Sequence, residues 1–199
     1  VSLSVVAGVL TTSVLAAYAF SWLDFPGKDL VFTIFLATMM IPGQILLIPN
    51  FLTITRLGWV DTYFAQIIPW IASVFNIFLL RQFFACIPKD LYDAAVLDGC
   101  GHFRYLTSVI LPLSRPALIT VGLNTFLGSW NALQWPLVVT RSESMRPIQV
   151  GLSYFLTESG TDTHLMMAAA TMTILPIVVM YAFAQQQFME GISTSGLKG

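Results

Sequence analysis

The sequence predicts an all-α membrane protein, a polytopic helical bundle that crosses a bilayer about five times. Three observations predict it. Charged residues are only 10% of the chain and hydrophobic residues 56%, against roughly 25% and 45–50% in ordinary globular domains. Five uncharged runs, residues 1–23, 30–55, 62–80, 116–140 and 163–189, are each close to or above the length a spanning helix needs. The connections between them hold the Lys and Arg residues, and hold them unevenly. A net charge of −1 excludes a basic nucleic-acid binder, and no aromatic–basic interleaving is present.

Residues 1–23 lack the basic n-region of a signal peptide and run too long for its apolar core. Small residues along them (Ser4, Ala7, Gly8, Ser13, Ala16, Ala17) would admit neighbouring helices closely. Asp24-Phe25-Pro26-Gly27-Lys28-Asp29 is a tight polar turn. The second run, 30–55, is interrupted by Pro42-Gly43-Gln44 and Pro49-Asn50. Lipid cannot satisfy backbone groups freed there, so this segment is expected to face protein or a water-filled path. The third run, 62–80, contains Pro69, Trp70 and Asn76, and Arg81 marks its exit.

Residues 87–115 are polar enough to leave the membrane. Pro88 suits the first turn of a helix over 89–98, and Gly99 fits a left-handed C-terminal cap. That helix has no clean apolar stripe: Leu91, Ala94 and Ala95 share one side, Tyr92 and Val96 another, with Asp93 opposite the first. A short helix that is apolar nearly all round is expected to be inserted into something rather than to lie on water. A second short helix, about 102–110, is expected to end at Pro112 and Pro116.

In the fourth run, 116–140, Trp130 and Trp135 suit a membrane interface, whereas Asn124, Asn131 and Gln134 want hydrogen-bond partners. Residues 141–162 read as a polar loop long enough to be a contact surface. The fifth run carries Pro176 as an expected kink, and the tail, 190–199, is expected to be disordered unless a partner holds it. Cys86 and Cys100 match neither metal-ligand spacing nor a redox pair. His102 and His164 are isolated, so no metal site is expected.

With five crossings the termini lie on opposite sides. Lys28, Arg81, Lys89, Arg104, Arg115 and Lys198 then fall on one side and Arg56, Arg141 and Arg146 on the other. The positive-inside bias puts the 87–115 loop and the C-terminus in the cytoplasm and residues 141–162 outside.

Asp93-Ala94-Ala95, then Asp98-Gly99, then Leu111-Pro112 resembles the cytoplasmic EAA loop of ABC-importer permeases. Asp93 stands where that family usually has Glu, and Cys100 where it often has Ala. Phe25-Pro26-Gly27, Ile48-Pro49-Asn50, Leu80-Arg81-Gln82-Phe83-Phe84 and Ser129-Trp130-Asn131 with Trp135-Pro136-Leu137 extend the match. Over essentially the whole chain the sequence is similar to the second, maltose-transporter-type permease subunit of carbohydrate importers.

The resemblance implies a type I importer permease fold and a bacterial or archaeal plasma (inner) membrane location. It implies four kinds of partner: a second permease subunit, an ABC ATPase dimer, an external solute-binding protein and a sugar. It implies no enzyme activity and no cofactor in this chain, since ATP and Mg would be bound by the partner ATPases. Asp93, Ala94, Ala95, Asp98, Gly99, Leu111 and Pro112 would then couple the chain to those ATPases. Gly191, Gly196, Lys198 and Gly199 approximate a tail pattern that reaches between them. Such subunits usually carry one further helix ahead of this first run, so a first span is expected to be missing here.

For solute contact, Trp130, Asn131 and Gln134 supply an aromatic face and amide hydrogen bonds. Packing of these residues against the partner permease is the competing role. An importer of glycerol phosphate or a polyol remains an alternative, although an anionic solute would ask for a basic residue near the pathway, and none is obvious. A secondary transporter would need an intramembrane acid or base, which the interiors of the five runs lack. No phosphate-cradling loop or nucleophile–base constellation supports an enzyme.

Overall fold

A computed structural model describes residues 1–157, 160–161 and 163–195. Its helices are α1 (Ser2–Trp22), α2 (Lys28–Thr38), α3 (Leu47–Arg56), α4 (Tyr63–Ile67), α5 (Val74–Ala85), α6 (Lys89–Leu97), α7 (His102–Tyr105), α8 (Leu111–Leu113), α9 (Arg115–Trp130), α10 (Gln134–Val139), α11 (Ile148–Ser153) and α12 (Thr163–Ser195). A two-residue antiparallel hairpin, Leu156–Thr157 with Gly160–Thr161, lies between α11 and α12. The fold is an all-α bundle. Ser2–Trp22 and Thr163–Ala182 are each long and apolar enough to cross a membrane alone. Counting each bent helix pair as one crossing brings the total to five.

The breaks depart from the sequence reading in four places. Residues 30–55 do break ahead of Gly43 as expected: α2 and the second arm over Gly43–Arg56, a 3-10 turn running into α3, are set at 86°. The break expected at Pro49 is absent. Pro42-Gly43 makes that corner. Pro49 does not break anything, because it sits in the first turn of α3, where no intrahelical N–H is needed. The third segment bends by 41° across Ile71–Ser73 and then continues past Arg81 to Ala85, so Arg81 lies within a helix rather than at its exit. Ser73 caps the new start by accepting from the Asn76 backbone N–H at 3.4 Å.

Pro112 does not end its helix either. Leu106–Ile110 winds as a π-helical turn, in which the Leu111 N–H bonds to the Leu106 carbonyl five residues back. This wider turn relieves the crowding a proline imposes on the preceding carbonyls, so the helix runs on to Leu113. The chain then bends by 80° into α9. Finally, α9 stops at Trp130, and residues 134–139 turn away as α10 instead of completing the expected run to 140. At the C-terminal end α12 carries the backbone on to Ser195, where disorder was expected from 190; Gly196, Lys198 and Gly199 lie outside the described residues.

The main core joins α1, α5, α9 and the 102–110 helix: Val9, Ala17, Tyr18, Leu80, Phe84, Tyr105, Ile110 and Val121 are buried together. Hydrocarbon gives helices no apolar driving force to associate, so close backbone approach carries the packing. Gly8 meets Ile71, and Gly122 meets Leu10 and Val6. Ser13 and Ala17 are buried as well, while Ser4 and Ala7 stay exposed. A second cluster packs Trp135 and Val139 of α10 on Ile54 and Ala65.

Candidate functional site

The candidate residues fall in two regions, one at each end of α1. At its C-terminal end lies α6. The left-handed cap expected at Gly99 is present (φ +73°) and is a Schellman arrangement: the Gly99 N–H bonds to the Val96 carbonyl at 2.9 Å and the Cys100 N–H to the Ala95 carbonyl at 2.8 Å. Pro88 stands one position earlier than the first turn, as the N-cap residue.

The faces of α6 differ from the sequence reading. Tyr92 and Ala95 form the inward side and pack on the main core, whereas Leu91 and Ala94 are exposed. Tyr92 enters an aromatic cluster, 5.5 Å from Trp22, 5.0 Å from Tyr105 and stacked on His102 at 5.6 Å. His102, isolated in sequence, shares a 2.9 Å hydrogen bond between its Nδ1 and the Tyr18 hydroxyl. Tyr105 itself is fully buried beneath Tyr92 and Trp22. The cluster fastens α6 to α1. Tyr92→Ala is expected to cost about 2 kcal/mol and to loosen α6 without removing α1 from the membrane, seen as a lower unfolding midpoint and faster amide exchange across 89–98.

The outward side of α6 carries Asp93 and Ala94 with Leu97, which is 89% exposed, and Phe103 follows at 74%. Among the described residues Asp93 makes no ion pair; the one present is Lys28 with Asp24 at 3.8 Å. Asp98 is the C-cap residue of α6. Leu111 packs partly on the main core, and Pro112 is exposed beside it.

At the other end of α1 lies a cleft of about 1210 Å³. Trp130, Asn131 and Gln134 all line it, together with Tyr63, Gln66, Trp70, Asn76, Thr125 and Trp135. Trp130 stacks on Phe126 at 5.4 Å and donates Nε1–H to the Thr173 carbonyl at 3.2 Å, so α9 and α12 fix its ring. Asn131 Oδ1 accepts from Gln149 Nε2 at 3.3 Å. Gln134 is exposed. Trp135 is tied to α4 through Nε1–H to the Ala65 carbonyl at 2.9 Å.

Residues 141–148 are not a free loop. Ser144 through Ile148 line the cleft, and the Met145 carbonyl accepts from Gln66 Nε2 at 2.9 Å. Arg146 is the one basic side chain among the cleft residues, where the sequence reading found none; its guanidinium lies 5.0 Å over the Tyr154 ring. Gln66, Thr125 and Arg146 were missed as cleft residues. Gln66 was readable as an amide inside an apolar stretch, but Arg146 was placed in an external loop with no sign that the loop folds inward.

Asp61 ties this segment down. It holds a left-handed conformation (φ +64°), and its Oδ1 accepts from the Arg141 and Ser142 backbone N–H groups at 2.8 and 3.0 Å. Those two bonds, Arg141 first, hold its carboxyl below the usual carboxylate range. A lowered folded-state pKa makes the tie fully present above the ordinary aspartate value and lost as pH falls through the lowered one. Amide protection at Arg141 and Ser142, corrected for intrinsic exchange, should follow that curve, and Asp61→Ala should flatten it.

The chain is a bundle with an exposed helix, α6, at one end of α1 and a cleft at the other. The chain belongs to the family of binding-protein-dependent transport system inner membrane components, whose model matches residues 5–192. It is similar to the arabinooligosaccharides transport system permease protein AraQ of Halalkalibacterium halodurans, 37% identical over 100% of this chain and 71% of that protein. It is also similar to the sn-glycerol-3-phosphate transport system permease protein UgpE of Yersinia pestis, 34% identical over 96% of this chain and 69% of that one. Among solved structures, a bacterial ABC transporter involved in the import of the acidic polysaccharide alginate has a chain that matches with TM-score 0.84 and 28% identity, covering 94% of this chain and 71% of its own. The protein is therefore a transmembrane permease of an inner membrane transport system.

Proposed function

We propose that this chain is one of two permease subunits of an ATP-driven carbohydrate importer, with α6 seated in a cleft of a partner ATPase on the cytoplasmic side. The observation that carries this reading is the outward face of α6: Leu97 and Asp93, the latter without an ion pair among the described residues, are exposed on a helix whose other side packs on the core, and Phe103 of α7 is exposed beyond it. Exposed large apolar groups rimmed by acids fit a protein cleft better than water.

In this reading Asp93, Ala94, Asp98 and Gly99 form the seat, while Ala95, expected to join them, holds α6 against the core from the other side. Closure of the ATPases pushes on α6, and the aromatic cluster passes the push to α1. The helix containing Leu111 and Pro112 passes it to α9. Nucleotide binding thus biases access to the cleft between two states through differential contacts at α6. Trp130, Asn131 and Gln134 line the solute path, and a solute-binding protein docks over the external segment that begins at Arg141. Aromatic faces and amides suit sugars. Arg146 at the cleft favours, as a second reading, solutes that also carry a carboxylate or phosphate.

Proteoliposomes holding both permeases and the ATPases test it. Binding protein loaded with members of a sugar panel should stimulate ATP hydrolysis and drive accumulation inside. No stimulation and no accumulation with any sugar would overturn the carbohydrate importer, and accumulation of acidic sugars alone would favour the second reading.

A further inference from the structure

The turn from Asp24 to Asp29 and the Arg81 side chain belong neither to the cleft nor to α6. They line a separate pocket of about 740 Å³ where the ends of α1, α2 and α5 meet. The pocket stands at the C-terminal end of α1, a helix long and apolar enough to cross a membrane. Its volume falls within the roughly 300–1,000 Å³ of small-molecule sites.

Its charges are ordered by depth. Lys28 is largely buried, at 20% exposure, and Arg81 is half-buried, whereas Asp24 and Asp29 are exposed at the rim. Lys28 Nζ is already engaged, donating to the Leu23 carbonyl at 2.9 Å and lying 3.8 Å from the Asp24 carboxylate. Arg81 is positioned but not neutralised. Its Nε–H donates to the Phe20 carbonyl of α1 at 3.4 Å, and its guanidinium sits 4.1 Å over the Phe32 ring of α2. Among the described residues neither Arg81 nor Asp29 makes an ion pair. A guanidinium held this way keeps its remaining donors in a rigid fork, the geometry that suits phosphate oxygens.

An apolar track leads away from the pocket. Leu30 on its wall and Ile34, one turn further along α2, are neighbours on the helix surface and both exposed. From the track outward the order is apolar surface, a half-buried cation without a counter-ion, then an exposed carboxylate without one. A phospholipid ending in a primary ammonium presents its groups in the matching order: acyl chain, phosphate, ammonium. A soluble phosphate would leave the track bare, and a purely anionic headgroup would offer nothing to Asp29.

We propose that this pocket seats a phospholipid of the leaflet on the α6 side, with its phosphate on Arg81, its primary ammonium on Asp29 and an acyl chain along Leu30 and Ile34. Arg81 touches α1 and α2 from α5, so a bound headgroup ties the ends of three helices together. The inference does not depend on which solute the cleft passes.

The test uses the purified protein, with the subunits that accompany it, in phosphatidylcholine nanodiscs. A trace of phosphatidylethanolamine carries a diazirine on its acyl chain close to the glycerol. Illumination and peptide mapping should place the label on residues 24–35. Unlabelled phosphatidylethanolamine should compete about tenfold better than phosphatidylglycerol, and glycerophosphoethanolamine, the headgroup without a tail, should not compete. Arg81→Gln should cut the labelling about tenfold, roughly the worth of one charge-assisted hydrogen bond. Asp29→Asn changes an exposed side chain outside the core, so it serves even where Arg81→Gln fails to assemble. It should bring phosphatidylethanolamine and phosphatidylglycerol to within about twofold of each other.

Label spread evenly along the chain overturns the site, as does full labelling of an assembled Arg81→Gln protein. Equal competition by phosphatidylglycerol in the wild type, or an unchanged preference in Asp29→Asn, overturns the ammonium seat and with it the proposal. Competition by glycerophosphoethanolamine overturns the lipid assignment in favour of a soluble phosphate. Sugar accumulation by proteoliposomes reports on the importer reading separately, so the two can fail independently.

Discussion

Asp93→Lys is expected to abolish uptake by the assembled transporter while leaving the chain inserted and folded. Asp93 is exposed on α6 and makes no ion pair among the described residues, so reversing its charge breaks no salt bridge. If the proposed seat is right, the change converts a charged hydrogen bond at a desolvated contact into a buried repulsion, worth about 2–5 kcal/mol of docking. Gly99→Trp should do the same by another route. The Gly99 position is open within this chain, so a side chain fits. Its left-handed backbone makes any L side chain other than Asn cost about 1–2 kcal/mol, and a large ring would stand in the way of a docked partner. Gly99→Asn, which tolerates this conformation, should keep most of the uptake. Membrane yield, ATPase co-purification and sugar accumulation are the measurements. Normal uptake by Asp93→Lys would place the ATPase contact somewhere other than α6.

Gly8→Val is expected to be the most destabilising single change in the membrane-embedded bundle. A Cβ at Gly8 would stand 2.7 Å from Ile71 Cγ2 and 2.8 Å from Ile71 Cβ. A β-branched neighbour cannot swing clear of such a contact. Nor can its backbone easily retreat, since the Ile71 carbonyl is bonded to Thr12 one helical turn further along α1. Overpacking of this kind costs about 1–3 kcal/mol, and α1 would have to move off the bend that carries Gln66 and Asn76. Gly122→Ala is the contrast: its Cβ would meet Leu10 and Val6 at 3.8 Å, ordinary contact, and should leave stability unchanged. The unfolding midpoints of the two purified variants decide the matter; equal values would mean that the α1–Ile71 approach is not a fixed feature of the fold.

Much was legible in the chain because membranes make simple demands. Absence of charge over some twenty residues marks a crossing, since lipid satisfies no polar group. Gly99 could be placed at a left-handed cap because the penalty for a side chain there is local and independent of the rest of the fold. The breaks were harder. Pro42-Gly43 and Pro112 look alike on paper, yet one makes an 86° corner and the other is absorbed by a π turn. The difference depends on whether the carbonyls ahead of the proline can find other donors, which local sequence does not reveal.

The sequence by itself determined the class of fold, the polar segment between its apolar runs and the left-handed glycine cap within that segment. These follow from hydropathy and from backbone stereochemistry, both properties of residues near one another in the chain. Only the tertiary structure decided which face of α6 is anchored, because Tyr92 finds Trp22 and Tyr105 across gaps that periodicity cannot see. It alone brought Gln66, Asn76, Thr125 and Arg146 to the cleft of Trp130 and Gln134. A cleft is defined by which helices close around it, and that is set by close approaches such as Gly8 on Ile71, where two distant segments must fit each other's shape.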